Sequence, residues 1–191
     1  MRIFSGIYKG RQLQAPKGRV TRPTSGRMRE AVFNICQHYI EGANFLDLFA
    51  GSGAIGFEAL SRGAAFATFV DNDQESARCI KKNRELLQLE SCSELIYGDV
   101  FAAIEKLGRQ KRKYELIYAD PPYAIAREGI PLSHLLLEAL DAHQILSKNG
   151  MLFIEEEQKT LAELKNLTHL KWVSSRNMGR SGLQQYSMQN S

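Results

Sequence analysis

Cysteine and histidine are scarce, and neither is spaced as in a metal site. The chain of 191 residues has three cysteines, Cys36, Cys79 and Cys92, and four scattered histidines. An odd number of distant cysteines argues against a disulfide framework and favours reduced thiols. We therefore predict a cytoplasmic protein whose chemistry depends on neither a bound metal nor a catalytic cysteine.

Long apolar runs are also missing. No stretch approaches the roughly 20 apolar residues needed to cross a bilayer, and residues 1–6 lack the apolar core of a signal peptide. These absences predict a protein without a membrane partner. The length suits one domain with a substantial core, and a monomer is the expectation for that size.

Acidic residues are nearly absent from the first 34 positions. That segment carries eight lysines and arginines against one acid, Glu30, for a net charge of +7, whereas the rest carries 17 basic and 20 acidic residues, for −3. A basic arm on a mildly acidic body indicates a polyanionic partner, most simply nucleic acid. The alternative is a basic surface that is merely solvated.

From residue 40 onward, short apolar runs alternate with stretches of helical character. This alternation predicts an α/β fold, with a mostly parallel sheet and helices on both faces. The predicted strands are 45–49, 66–70, 94–97, 114–119 and 151–154, and the predicted helices are 54–62, 74–87, 100–107 and 132–142. Two more strands, 170–176 and 184–188, flank a turn-rich segment; they predict an antiparallel hairpin at one edge of a seven-stranded sheet.

Residues 1–40 follow a different pattern. Residues 3–8 and 11–14 flank Lys9-Gly10 and predict a small β-hairpin. Thr24-Ser25-Gly26 is suited to cap a helix that runs to about Tyr39. We interpret residues 1–191 as a single domain in which residues 1–40 form a basic extension.

Residues 51–56 match the pattern G-x-G-x-x-G between a predicted strand and a predicted helix. Glycines there allow a tight turn and let a ligand approach the backbone. Asp71 follows the next strand, 20 residues after Gly51, where a carboxylate can accept hydrogen bonds from ribose hydroxyls. The combination predicts a site for a nucleoside-containing cofactor, formed by Ala50, Gly51, Ser52, Gly53 and Asp71.

Asp47 distinguishes between two such cofactors, a dinucleotide and S-adenosylmethionine. It lies in the first predicted strand, four residues before the loop. A carboxylate there would repel a pyrophosphate but attract the ammonium and sulfonium groups of S-adenosylmethionine, which we therefore predict as the cofactor. Asp99 is a candidate for binding the adenine amino group, and Asn72 for lining the adenine pocket. Each is almost as well explained as a helix cap or turn residue.

Asp120-Pro121-Pro122-Tyr123 follows the fourth predicted strand. The prolines have no backbone N–H but keep their carbonyls, so they present acceptors beside a carboxylate and an aromatic ring. Such a set suits a planar group that carries an NH2. Because the first and fourth strands are neighbours in doubly wound sheets, this site and the glycine loop would share one crevice. We predict an enzyme that modifies the exocyclic amino group of a nucleobase.

These motifs carry a family resemblance. The stretch from Asp47 to Gly53, paired with Asp120 to Tyr123, resembles the motif pair of class I S-adenosylmethionine-dependent amino-methyltransferases, which adenine-N6 DNA methyltransferases share. The N-terminal half is more specific. Gly10-Arg11-Gln12-Leu13, Arg22-Pro23-Thr24 and the stretch from Ala50 to Gly63 resemble the RsmD family, bacterial 16S ribosomal RNA guanine-N2 methyltransferases. The resemblance covers essentially the whole chain.

The resemblance implies a Rossmann-like class I methyltransferase fold, in which Asp71 binds the cofactor ribose and Asp120 to Tyr123 hold a guanine. The methyl group would pass to N2 of that guanine in 16S ribosomal RNA. The substrate would be the RNA itself, the small ribosomal subunit or an assembly intermediate of that subunit. Residues 1–40 would bind RNA phosphates, and we select Arg11, Arg22, Arg27 and Arg29 for that role. Three alternatives stay open: a DNA adenine-N6 methyltransferase, a non-catalytic RNA-binding module and a nicotinamide dehydrogenase.

Overall fold

The computed structural model describes residues 1–16, 26–122, 126–127, 129–157 and 167–189. Seven strands form the main sheet, and two short strands pair separately. In chain order the strands are β1 (Asn44–Leu48), β2 (Phe66–Asp71), β3 (Ser93–Tyr97), β4 (Tyr114–Ala119), β5 (Ala126–Arg127), β6 (Ile130–Pro131), β7 (Leu146–Glu157), β8 (Leu170–Met178) and β9 (Ser181–Met188). The helices are α1 (Gly26–Ile35), α2 (Ala54–Ser61), α3 (Gln74–Leu87), α4 (Val100–Arg109) and α5 (Leu132–His143).

The main sheet has the order β3-β2-β1-β4-β7-β9-β8. The first five strands in that order are parallel, and β9 pairs antiparallel with both β7 and β8. The predicted α/β fold with a C-terminal hairpin is therefore confirmed. The hairpin turn is tighter than predicted, since pairing extends to Met178 and Ser181 around Gly179. β1 and β4 are neighbours, with Asp47 opposite Tyr118, so their carboxyl ends lie side by side.

Each face of the sheet has its own apolar core because side chains alternate between faces along a strand. Phe45 and Tyr118 pack on one face with residues of α1, α2 and α3. Leu48 and Ile117 pack on the other face with residues of α4 and α5. Asp47 lies between Leu46 and Leu48 in β1 and so points to the first face, beneath the start of α2.

The N-terminal segment reverses direction and packs on α2. Its pairing is reduced to one bridge, Arg2 with Gln12, rather than a regular ladder. The buried carboxylate of Glu58 accepts the backbone N–H groups of Phe4 at 2.7 Å and Ser5 at 2.9 Å. Gly6 is required for this approach, because a Cβ there would lie 1.7 Å from the Ser61 carbonyl oxygen. The part of the extension that contains Phe4, Ser5 and Gly6 thus forms a layer over α2.

Helix α1 is shorter than predicted. It ends at Ile35, and the chain then turns, with the Tyr39 N–H donating to the Cys36 carbonyl at 2.9 Å. The turn lets the buried side chains of Cys36 and Ile40 enter the core shared with α1. The predicted cap residues Thr24 and Ser25 lie outside the described residues. Within the described ranges, no helix has the length and apolarity needed to span a bilayer.

Candidate active site

The turn between β1 and α2 is built from left-handed backbone conformations. Phe49 has φ 60°, Gly51 has φ 57° and Gly53 has φ 76°. Phe49 is notable because a bulky residue rarely adopts a positive φ, and such backbones concentrate at functional sites. Gly56 has a packing role: a Cβ there would lie 2.3 Å from the Phe69 ring on β2. The glycines therefore bring α2 close to the sheet and leave the loop backbone accessible.

Asp71 shapes this loop from the end of β2. Its Oδ2 accepts the Gly51 N–H at 2.7 Å, and its Oδ1 accepts the Asp73 N–H at 2.8 Å. Asp73 in turn caps α3 by accepting the Ser76 N–H at 2.9 Å. One carboxylate thus fixes the glycine loop relative to the start of α3. The ribose-binding role of Asp71 stays a prediction, because these bonds alone give the residue a structural reason to be there.

Asp47 is buried beneath the loop. Its Oδ2 accepts the Gly56 N–H at 3.0 Å, at the first turn of α2. Burial raises the pKa of Asp47 well above its usual range, the hydrogen bond from Gly56 opposes that shift, and the nearby carboxylates Asp71 and Asp120 add to it. A cation in this position would favour the ionised form of Asp47.

A cavity of about 400 Å³ opens along the carboxyl ends of the strands. Its glycine-loop end is lined by Asp47, Ala50, Gly51, Ser52, Asp71, Asn72 and Asp73. Its proline end is lined by Tyr118, Asp120, Pro121, Pro122 and Glu155. The two predicted sites therefore do share one crevice. Two predicted residues, Gly53 and Asp99, are not among the residues that line it. The Gly53 N–H donates to the Ala50 carbonyl at 2.7 Å, and its carbonyl accepts the Phe57 N–H at 2.9 Å.

Among the described residues, the charged side chains that line the cavity are acidic. Five carboxylates line it, Asp47, Asp71, Asp73, Asp120 and Glu155, and none of its described lining residues is a lysine or arginine. Such a cavity repels a pyrophosphate and attracts a cation, which disfavours the dinucleotide alternative. No group of His, Cys, Asp and Glu side chains within the described ranges is arranged to hold a metal ion.

Asp99 caps a helix. Its carboxylate is exposed and accepts the N–H groups of Phe101 at 3.0 Å and Ala102 at 3.1 Å, at the start of α4. This is the structural role that the sequence left open for it. Asn72, the other adenine candidate, does line the cavity and is exposed.

The proline end is held by β4 and β7. The Asp120 N–H donates to the Leu48 carbonyl of β1 at 3.4 Å, which keeps Asp120 beside the glycine loop. Pro121 is buried and Pro122 is exposed. Glu155 was not predicted as a site residue; its Oε2 accepts the Tyr118 hydroxyl at 3.0 Å. Tyr123, the predicted stacking residue, lies outside the described residues.

The N-terminal segment forms one wall of the cavity, which the sequence did not indicate. Ala15 and Pro16 line it. They are held by Asn83 of α3, which is fully buried and bonds to both polar groups of the Gln14 backbone. Asn83 accepts the Gln14 N–H at 2.8 Å, and donates to the carbonyls of Gln14 and Ser52 at 3.1 Å each. One side chain therefore joins the extension to the glycine loop.

The four selected arginines divide into three groups. Arg11 and Arg27 are exposed, and Arg22 lies outside the described residues. Arg29 is only 4% exposed, donates to the Arg2 carbonyl at 3.1 Å and lies 4.0 Å over the Phe4 ring. Burial lowers the pKa of its guanidinium. Arg29 is thus a buried residue that holds the N-terminal segment on α1, and its burial argues against the predicted role as a phosphate contact.

Several known proteins are similar to this chain in both sequence and fold. A family model described as Conserved hypothetical protein 95 matches residues 1–187. YlbH from Bacillus subtilis is 35% identical over 159 residues, which are 83% of this chain and 84% of YlbH. Ribosomal RNA small subunit methyltransferase D from Haemophilus influenzae is 32% identical over 172 residues, 90% of this chain and 86% of that protein.

The structural comparison agrees with the sequence comparison. The solved structure of yhhF from Escherichia coli superposes with a TM-score of 0.82 at 29% identity, covering 98% of this chain and 97% of that one. The resemblance stated from the motifs is therefore confirmed. By its family match over residues 1–187 and its relatives, this chain belongs to the Conserved hypothetical protein 95 family, which is the RsmD family.

Proposed function

We propose that this protein transfers a methyl group from S-adenosylmethionine to the exocyclic N2 amino group of a guanine in the 16S RNA of the small ribosomal subunit. The observation that carries the proposal is the single cavity that joins Asp120-Pro121-Pro122 to the glycine loop. A cofactor on the loop and an amino group on the prolines would meet there. Relatives named as ribosomal RNA small subunit methyltransferases support the RNA substrate.

The cofactor follows from the family and the charge of the cavity. S-adenosylmethionine, when bound, supplies an electrophilic methyl group whose transfer forms a C–N bond and breaks a C–S bond. The carboxylates of the cavity attract its ammonium and sulfonium groups, and Asp47 lies deepest among them. Ala50, Gly51 and Ser52 offer backbone for close approach, and the Asp71 carboxylate lies at the cavity wall, where ribose hydroxyls can donate to it.

Asp120 and the Pro121 carbonyl orient the target nitrogen. The lone pair of an exocyclic amino group is delocalised into the ring, so the nitrogen must be held in line with the methyl carbon, and positioning of this kind supplies much of a rate enhancement. The Asp120 carboxylate stabilises the positive charge that develops on nitrogen. It, or solvent, then takes the proton that the nitrogen loses.

The exposed basic residues of the N-terminal extension supply phosphate contacts. Arg11 and Arg27, which are exposed in the structure, are candidates for these contacts, and Arg22 is a third candidate that lies outside the described residues. Residues 1–40 would therefore act as an RNA-binding extension of one methyltransferase domain. A guanine in a helix must leave its stack to reach the cavity, which costs a few kcal/mol; a guanine in a loop avoids that cost.

The decisive experiment identifies the methylated nucleoside. Small subunits from cells that lack this protein are incubated with the protein and radiolabelled S-adenosylmethionine, and the RNA is digested to nucleosides. We expect label in N2-methylguanosine. Label in N6-methyladenosine or no label at all would contradict the proposal, and calorimetry with S-adenosylmethionine then separates an adenine methyltransferase from a non-catalytic module.

A further inference from the structure

Glu155 lies at the proline end of the cavity without an assigned role. It is 5% exposed and belongs to the part of β7 that pairs with β9. Phe153 lies opposite Tyr118 in the β4–β7 register, and Glu155 is two residues further along the same face. This register brings its carboxylate to the cavity wall that also contains Asp120 and Pro121.

The Tyr118 hydroxyl fixes how this carboxylate is presented. Tyr118 is 1% exposed, and its hydroxyl donates to Oε2 of Glu155 at 3.0 Å. An ionised carboxylate accepts about four hydrogen bonds and donates none. The bond from Tyr118 therefore holds the Glu155 carboxylate in a fixed place at the cavity wall.

The Asp120-Pro121-Pro122 group by itself cannot choose among bases. Adenine, guanine and cytosine each carry an exocyclic NH2, which that group would accept equally. The bases differ in the neighbouring ring nitrogen of the Watson–Crick edge. Guanine has an N1–H donor beside its N2 amino group, whereas adenine N1 and cytosine N3 are acceptors. A second acceptor beside Asp120 would separate guanine from the other two.

We propose that Glu155 is the residue that selects guanine, by accepting a hydrogen bond from guanine N1–H while Asp120 and the Pro121 carbonyl hold the N2 amino group. The assignment rests on the proposed function, since it names the base that the same site would accept. Against adenine or cytosine, the carboxylate faces a ring-nitrogen lone pair, and two acceptors in contact repel each other. Selection then comes from an unfavourable contact with the wrong base as well as from a bond to the right one.

The substitution Glu155→Gln tests the assignment. The substitution replaces one carboxylate oxygen by an NH2 group, and when the remaining oxygen accepts the Tyr118 hydroxyl, that NH2 group faces the base and repels guanine N1–H. We expect kcat/KM for methyl transfer into small subunits to fall about 10- to 100-fold, as for loss of a hydrogen bond to a charged group. S-adenosylmethionine affinity should stay within about threefold. The matched control is Glu138→Gln on α5, an exposed glutamate that should behave as wild type.

A substrate analogue separates base selection from a structural role. The target guanine, located by the nucleoside experiment, is replaced in small-subunit RNA by 2-aminopurine, which keeps the N2 amino group but has no N1–H. The wild type should prefer guanine, and Glu155→Gln should shrink that preference at least about tenfold. Other differences between the two bases affect both proteins and cancel.

The outcomes distinguish the two proposals. An unchanged preference for guanine over 2-aminopurine in Glu155→Gln would overturn the role of Glu155 and leave the proposed function intact. Failure of the wild type to produce N2-methylguanosine would overturn the proposed function itself, and the role of Glu155 with it. A shrunken preference with normal cofactor affinity supports both.

Discussion

At the glycine-loop end of the cavity, Asp47 and Asp71 accept hydrogen bonds from backbone N–H groups of the loop and its helix. At the proline end, Glu155 accepts from a side-chain hydroxyl, and Asp120 stands before two prolines that have no N–H to donate. The same functional group thus supports the backbone at one end and faces the substrate at the other. Changes at the first end should alter cofactor binding and stability together, whereas changes at the second should alter methyl transfer and leave cofactor affinity near wild type.

The largest expected effect is that of Asp120→Asn. The amide keeps the shape but loses the charge that stabilises the developing cationic nitrogen. We expect kcat to fall about 100- to 1,000-fold, with S-adenosylmethionine affinity within threefold of wild type. Single-turnover transfer from labelled cofactor, together with calorimetry, measures both quantities. The substitution Glu85→Gln, at an exposed glutamate of α3, serves as control. Normal turnover of Asp120→Asn would contradict the assignment of methyl transfer to the proline end of the cavity.

Asp47→Asn should weaken cofactor affinity while raising the stability of the free protein. Loss of an interaction between charged groups corresponds to about 10- to 100-fold in affinity. The folded-state pKa of Asp47 is raised above 3.8, so ionisation opposes folding, and wild-type stability falls as pH rises from about 4 through the raised pKa. The Tm advantage of the variant should therefore grow with pH.

Thermal unfolding at pH 5 and pH 8 without cofactor measures this difference, and calorimetry at both values measures affinity. Wild-type affinity should increase with pH because the cationic cofactor favours the ionised carboxylate, whereas the affinity of Asp47→Asn should respond less. A Tm difference that shrinks with rising pH would show that Asp47 stabilises the free fold instead.

Asn83→Ala tests whether the N-terminal wall belongs functionally to the glycine-loop end. The change leaves the polar groups of the Gln14 backbone and the Ser52 carbonyl without their partner, which costs about 1–3 kcal/mol of unfolding free energy. We also expect weaker cofactor binding, since the wall formed by Ala15 and Pro16 is released. Denaturant unfolding and calorimetry measure both, with the exposed Asn34→Ala as control. Unchanged affinity in a destabilised protein would restrict the wall to a structural role.

The smallest effects separate two arginines of α1. Arg29→Ala should lower the free energy of unfolding, because a buried side chain that packs on Phe4 is lost, and should leave the salt dependence of RNA binding unchanged. Arg27→Ala should leave stability near wild type and reduce the slope of log K against log salt by about 1. Binding titrations at several salt concentrations decide, and equal slopes for Arg27→Ala and wild type would exclude Arg27 as a phosphate contact.

Local patterns predicted the sheet and the position of the cavity. The alternation of elements indicates neighbours in a parallel sheet, so the meeting of the glycine loop with Asp120 followed from connectivity alone. The burial of Arg29 also had a local signal. It precedes Val32 by three residues and Phe33 by four, which places all three on one face of a helix. The positive net charge of residues 1–34 favours phosphate binding for all of their arginines, whereas this spacing indicates burial for Arg29.

The remaining features depend on contacts between distant parts of the chain. Asn83 bonds to Gln14, 69 residues away, and nothing in the local sequence of α3 marks that asparagine. Glu155 is the first of three consecutive glutamates. Only the register of β7 with β4 shows that Glu155 is the one that reaches the cavity beside Tyr118. Pairing register and side-chain hydrogen bonds of this kind are decided by tertiary packing, not by propensity.

The position of β9 has a consequence for the order in which the protein is assembled. β7 carries Glu155, and β9, which the ribosome makes later than every other described strand, lies between β7 and β8. Until residues 181–188 have emerged, the edge of β7 has no partner on that side. We expect the proline end of the cavity to become ordered only at the end of synthesis, after the parallel strands that form the glycine-loop end are already available.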